Sequence, residues 1–148
     1  MTSLDELTQW YATLTIDTLP DIYLFYAPGA SFKDPFNDVS GIAAIEQIFF
    51  HMFQTTEHPI FTFIDTLQQG NQAFLSWRFN FGLNGKEYEV KGGTHLYLDE
   101  AGLITMHRDY WDAAEELWQK LPILGTLVRW LRRKFAAQTT PTTPGVIR

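Results

Sequence analysis

The sequence predicts an α+β domain in which N-terminal helices lie on a curved antiparallel sheet and enclose a conical cavity. Three observations carry that expectation. Apolar residues recur every three or four positions up to about Thr55, then every second position from Pro59 to Asp112. Three turn signals, Gln69-Gly70-Asn71, Asn84-Gly85 and Asp99-Glu100-Ala101-Gly102, cut the second region into four strands. The length of 148 residues suits one domain with a real core.

Each element has its own local reason. Ser3-Leu4-Asp5-Glu6 reads as a capping box, and Leu4, Leu7, Tyr11 and Leu14 form the stripe of the helix it opens. Pro20 and Asp21 suit the first turn of a short second helix, DIYLFYA, which Pro28-Gly29 would end. A short extended piece, SFKDPF, precedes a third helix from about Gly41 to Thr55, with Ile42, Ile45, Phe49, Met52 and Phe53 on one side. In the strands, Ala73, Leu75, Trp77, Phe79 and Phe81 alternate with Ser76, Arg78 and Asn80. Tyr88, Val90, Gly92, Thr94, Leu96 and Leu98 alternate with Glu87, Glu89, Lys91, His95 and Tyr97. AAEELWQKLP then reads as a short helix and ILGTLVRWLRRKF as an amphipathic basic one. Residues 1–137 thus form a single domain, with a helical extension from about 113, and residues 138–148 a disordered tail.

Composition narrows the function. Aromatic residues make up 16% of the chain, which provides the flat apolar walls that an apolar ligand needs. There is no Cys, so disulfides, thiolate metal sites and a Cys nucleophile are excluded. A reducing cytosol fits, the polar start MTSLDELTQWY is unlike a secretory signal, and no apolar run suggests a membrane span. All 17 acidic residues lie at or before Glu116, against five basic ones there, a net −12; the remaining segment carries six basic residues. An acidic body argues against a general nucleic-acid binder.

The stretch GLITMHRDYWD concentrates titratable groups at the end of an apolar strand. Alternation puts Thr105, His107, Asp109 and Trp111 on the cavity face, and Ile104, Met106, Arg108 and Tyr110 on the other. A carboxylate in an apolar cone has its pKa raised by burial, and a neighbouring His opposes the shift, so the pair suits proton transfer. The plainer alternative is that Asp109 caps the following helix or pairs with Arg108. His51, His58 and His95 read as structural, loop and outward-facing residues. Only His107-x-Asp109 brings two metal-type ligands close, so no metal is expected. No phosphate loop or G-x-S-x-G is present, and no cofactor is expected.

Taken in order over roughly residues 4–118, these segments resemble the nuclear-transport-factor-2-like superfamily. That cone-shaped fold is shared by ketosteroid isomerases, limonene epoxide hydrolases and SnoaL-type polyketide cyclases. WYATL and FKDPF are similar to the isomerases, where a first-helix Tyr is an oxyanion donor and an Asp before Pro is the proton-moving base. Tyr11 and Asp34 match those positions, while Thr94 in KGGTHLYL stands where the second oxyanion donor would be. GLITMHRDYWD is similar to the last strand of the epoxide hydrolases, and Asp109 matches the carboxylate that activates water there. Those hydrolases also use an Arg-x-Asp pair on the strand here reading FLSWRFNF, where Arg78 is the only basic group, and Phe32 and Asp34 stand where their water-holding Tyr and Asn would be. The resemblance implies a pocket for a small apolar molecule, lined by Phe32, Phe49, Trp77, Thr94 and Trp111. Asp34 and Asp109 would be its carboxylates, with Tyr11 and His107 as helpers. Isomerase, cyclase and hydrolase chemistry all stay open, as does a non-catalytic binding or association module. Two surfaces add partners: an apolar outer sheet face that suggests a homodimer, and the Arg129/Arg132/Arg133 helix, which suits an anionic membrane surface or packing on the acidic body.

Overall fold

Ser3 begins the first helix as expected. Its hydroxyl accepts from the Glu6 amide, and the Glu6 carboxylate accepts from the Ser3 amide, which closes the capping box. The structure, a computed structural model, describes residues 3–112. The helices and the tail expected beyond Asp112 lie outside the described residues. The elements are α1 (Leu4–Ala12), a 3₁₀ helix (Leu19–Leu24), β1 (Tyr26–Lys33), β2 (Asp38–Ser40), α2 (Ile42–Thr55), β3 (Glu57–Gln69), β4 (Gln72–Leu83), β5 (Lys86–Leu98) and β6 (Ile104–Tyr110). The strands form one curved sheet in the order β2-β1-β6-β5-β4-β3.

Three expectations change. The sheet is mixed rather than antiparallel, because β1 runs parallel to β6. The second helix is only the 3₁₀ segment, and Tyr26 to Lys33 is a strand that includes Pro28 and Gly29. Pro28 has no amide hydrogen to donate, and it falls where the β1–β6 ladder is interrupted, between Tyr26 and Ser31. Finally, Ile104 is buried rather than outward. Tyr97 pairs with Met106 and Leu98 with Ile104, so Thr105 is an extra residue on β6. That bulge returns Ile104 to the inner face and leaves Thr105 exposed, donating from Oγ1 to the Tyr97 carbonyl.

Both helices lie on the inner face of the sheet. Leu7, Trp10 and Tyr11 of α1 and Ile42, Ile45 and Phe49 of α2 join Ala73, Leu75, Leu96 and Ile104 in the main core. A second, aromatic cluster sits further along β4 and β5, where Trp77, Phe81 and Val90 gather Phe61, Phe79, Tyr88 and Trp111. Asp109 on β6 stands beside Thr94 on β5, and Thr94 in turn bonds Trp77 of the aromatic cluster.

Candidate active site

The site is built by strand register. Thr94 of β5 pairs with Asp109 of β6 and with Leu75 of β4, which puts the Thr94 hydroxyl on the inner face beside the carboxylate. The Thr94 hydroxyl donates to Asp109 Oδ1 at 2.6 Å and accepts from Trp77 Nε1 at 2.8 Å. Two residues back along β6, His107 places Nε2 at 2.7 Å from the same Asp109 oxygen. Its Nδ1 meets the Tyr26 hydroxyl at 2.7 Å, and the Tyr26 and Tyr11 hydroxyls are hydrogen-bonded to each other. Tyr11 also lies 3.3 Å from Nδ1. One continuous chain of hydrogen bonds therefore crosses the domain from β4 to α1.

Burial changes along that chain. Tyr26 is 1% exposed and His107 3%, whereas the Asp109 side chain is 18% exposed. Asp109, in the middle of the chain, is thus its most exposed member. Asp109 Oδ1 takes both hydrogen bonds, while Oδ2 has no hydrogen-bond partner among the described residues. Burial raises the pKa values of Tyr11 and Tyr26 well above the ordinary phenol range, with the Asp109 charge adding to the push, so both keep their hydrogens.

Asp34 occupies the turn after β1. Its carboxylate accepts from the amides of Phe36 at 2.7 Å and Asn37 at 2.6 Å, and from the Asn37 side chain at 3.1 Å. Burial still pushes its pKa up, against the downward pull of those bonds, and the nearby charge of Asp109 raises it further. The two carboxylates are therefore within electrostatic reach of one another. Asp34 also has a structural duty that the sequence reading did not assign.

The remaining residues expected at the site divide into two groups. Phe32 and Phe49 back the His107 ring: Phe32 is its paired neighbour in β1, with ring centroids 4.5 Å apart, and Phe49 packs edge-on against Phe32. Trp77 and Thr94 belong to the hydrogen-bond chain. Trp111 is half-buried, on the aromatic cluster and edge-on to Phe36 at 5.4 Å. Tyr11, expected as a donor to a ligand, is 5% exposed with its hydroxyl engaged by Tyr26. Tyr26 itself was missed, since the sequence read it as part of a helix. A surface hollow of about 520 Å³ lies elsewhere, at the β3–β4 hairpin and His95, and contains none of these groups. Among the described residues no cluster of three or more His, Asp or Glu could hold a metal ion.

Helices seated on the inner face of a strongly curved mixed sheet, with acid/base groups at the end of the last strand, define a nuclear-transport-factor-2-like α+β domain. Residues 7–107 match the SnoaL-like domain, and the chain belongs to that family. Solved structures agree on the fold. A protein of ketosteroid isomerase-like fold from Catenulispora acidiphila, in complex with trimethylamine, is 18% identical, with a TM-score of 0.68 over 78% of this chain and 92% of that one. A candidate SnoaL-like polyketide cyclase from Jannaschia is 13% identical, with a TM-score of 0.63 over 76% and 86%. A candidate SnoaL-like isomerase from Agrobacterium tumefaciens is 19% identical, with a TM-score of 0.59 over 72% and 90%. No curated protein matches the chain.

Proposed function

We propose that the protein binds a small apolar molecule and carries out acid/base chemistry on it, of the isomerase, cyclase or hydrolase type. The observation that carries this is the asymmetry of Asp109, with one oxygen held by Thr94 and His107 and the other without a hydrogen-bond partner among the described residues. Asp109 Oδ2 takes the proton from a carbon acid or a water molecule. Asp34, whose pKa is raised by burial and by the charge of Asp109, serves as the acid partner of the pair. His107 and Tyr11 support Asp109 through the hydrogen-bond chain. Phe32 and Phe49 shape the wall behind His107, and Trp77, Thr94 and Trp111 the wall beside Asp109. The neighbours described as cyclase and isomerase candidates are consistent with this chemistry.

The test is turnover of substrates recovered by mass spectrometry of co-purifying ligands. Asp109→Asn is expected to lower the rate by about 10²- to 10⁴-fold, as loss of a general base does. Undiminished turnover in both Asp109→Asn and Asp34→Asn would sink the proposal.

A second reading is a non-catalytic ligand carrier. It is favoured by Tyr11, whose hydroxyl is turned inward to Tyr26 rather than toward a ligand. A co-purifying molecule that stays chemically unchanged on incubation would support it.

The cytosol is the proposed location. Among the described residues no helix is long and apolar enough to cross a membrane. A homodimer through the outer sheet face is the proposed assembly. Peripheral contact with anionic membrane through the basic segment around Arg129, Arg132 and Arg133, which lies outside the described residues, is tested by vesicle flotation with and without anionic lipid.

A further inference from the structure

The direction of every hydrogen bond in the chain from Trp77 to Tyr11 follows from counting donors. An indole nitrogen only donates, so the Thr94 oxygen accepts from Trp77 and the single Thr94 hydrogen goes to Asp109 Oδ1. Across 2.7 Å from that same oxygen, His107 Nε2 must then carry a hydrogen, since two bare lone pairs would face each other otherwise. On the other side of the ring both partners are phenols that retain their hydrogens. Tyr26 donates to Nδ1, and Tyr11 donates to Tyr26. The opposite order would have Tyr11 donate to Nδ1 across 3.3 Å in place of Tyr26 across 2.7 Å, the poorer of the two bonds.

We propose that Tyr26 is a positioning residue for Asp109: it holds His107 in the tautomer with its hydrogen on Nε2, so that Oδ1 is fixed and Oδ2 is the oxygen left for a ligand. Which imidazole nitrogen carries the hydrogen is set by what the other nitrogen is bonded to. Here the other nitrogen has two candidate partners, and Tyr26 is the better placed, at 2.7 Å against 3.3 Å for Tyr11. Its ring also runs nearly parallel to the imidazole, at an interplanar angle of 13°, which restrains the tilt of His107. Phe32 does the same from its own side. Among the described residues no Lys or Arg is hydrogen-bonded or ion-paired to this group, and the titratable groups facing His107 are Tyr11 from α1, Tyr26 from β1 and Asp109 from β6. The proposal rests on the reading of Asp109 as the base only for its functional meaning; the tautomer itself can be measured without a substrate.

Long-range proton–nitrogen NMR of the histidine rings is the experiment, with His107 identified by the signals that vanish in His107→Gln. The expected wild-type pattern is a protonated Nε2 and a bare Nδ1. A hydrogen on Nδ1, alone or together with one on Nε2, would overturn the proposal. In Tyr26→Phe the His107 signals should move toward an exchanging mixture of tautomers, while Tyr11→Phe, which leaves the Tyr26 donor in place, should preserve the wild-type pattern. An unchanged His107 pattern in folded Tyr26→Phe would make Tyr26 a packing residue and overturn the assignment. Should that variant not fold, a hydrogen-bond coupling between the Tyr26 hydroxyl hydrogen and Nδ1 in the wild type decides: its presence supports the proposal, and its absence overturns it. Failure here is separate from failure of the proposed chemistry, which the turnover of Asp109→Asn reports.

Discussion

Trp77 lies across Gly92, its paired neighbour in the β4–β5 ladder: a methyl group on Gly92 would come within 2.6 Å of the indole Cη2. The next glycine serves the opposite face, where a methyl on Gly93 would come within 2.5 Å of Phe74 Cζ. The pair in KGGTH thus seats one aromatic ring on each side of the sheet. Trp77 is 4% exposed and cannot swing away, whereas Phe74 is 42% exposed and can. Gly92→Ala should therefore destabilise the fold by about 1–3 kcal/mol through overpacking and displace the indole from Thr94. Gly93→Ala should cost clearly less. Urea unfolding and Trp fluorescence check the order, and equal effects at both glycines would contradict it.

The inner face of β4 and β5 was legible because alternation is a direct consequence of strand geometry, and it puts Trp77 and Thr94 on the inner side. The meeting of His107 with Asp109 was legible for the same reason. Tyr26 was not. DIYLFYAPG has no clear period, Pro28-Gly29 looks like a break, and parallel pairing of β1 with β6 joins segments some 80 positions apart (Tyr26 to His107, 81) without local signal. The face of Ile104 was lost to a single bulged residue, Thr105, which periodicity cannot anticipate.

Thr94 joins the aromatic cluster to the carboxylate. Thr94→Val nearly keeps the shape but leaves Trp77 Nε1 and Asp109 Oδ1 each without one partner. Stranded buried groups cost about 1–3 kcal/mol each when fully enclosed, and the loss here should fall in that range overall. In a double-mutant cycle with Trp77→Phe, the two substitutions should be non-additive by about 0.5 kcal/mol or more. Strict additivity in urea unfolding would show that the bond contributes nothing.

Asp34 should set a pH dependence of stability. Its pKa in the fold is raised above the ordinary 3.8, mainly by burial, so the folded state binds the proton more tightly than the unfolded chain. The stabilisation is complete below the unfolded value and is lost as pH rises through the folded one. Asp34→Asn keeps an acceptor for the amides of Phe36 and Asn37, both of which bond Oδ1. It should fold, and its stability relative to wild type should improve as pH rises above 3.8. Parallel stability curves for the two proteins across that window would refute this.

The outer face of the sheet supports the last prediction. Phe74 and Leu67 are exposed there with Tyr110, while Tyr97 and Met106 are half-buried. Register aligns these groups across the strands: Leu67 with Phe74, Tyr97 with Met106, and Gly93 with Tyr110. Gly93 lets the Phe74 ring lie low over β5, and the Arg108 guanidinium sits 4.9 Å from the centre of the Tyr110 ring, so the surface is flattened as well as apolar. Apolar patches of this kind on one sheet face suit self-association about a two-fold axis, in which each residue meets its own copy or a near neighbour. Light scattering at micromolar concentration should give the mass of a dimer. Phe74→Glu would set two carboxylates in the joint apolar surface and should yield a monomer with unchanged circular dichroism. A wild-type monomer under these conditions would reject the dimer.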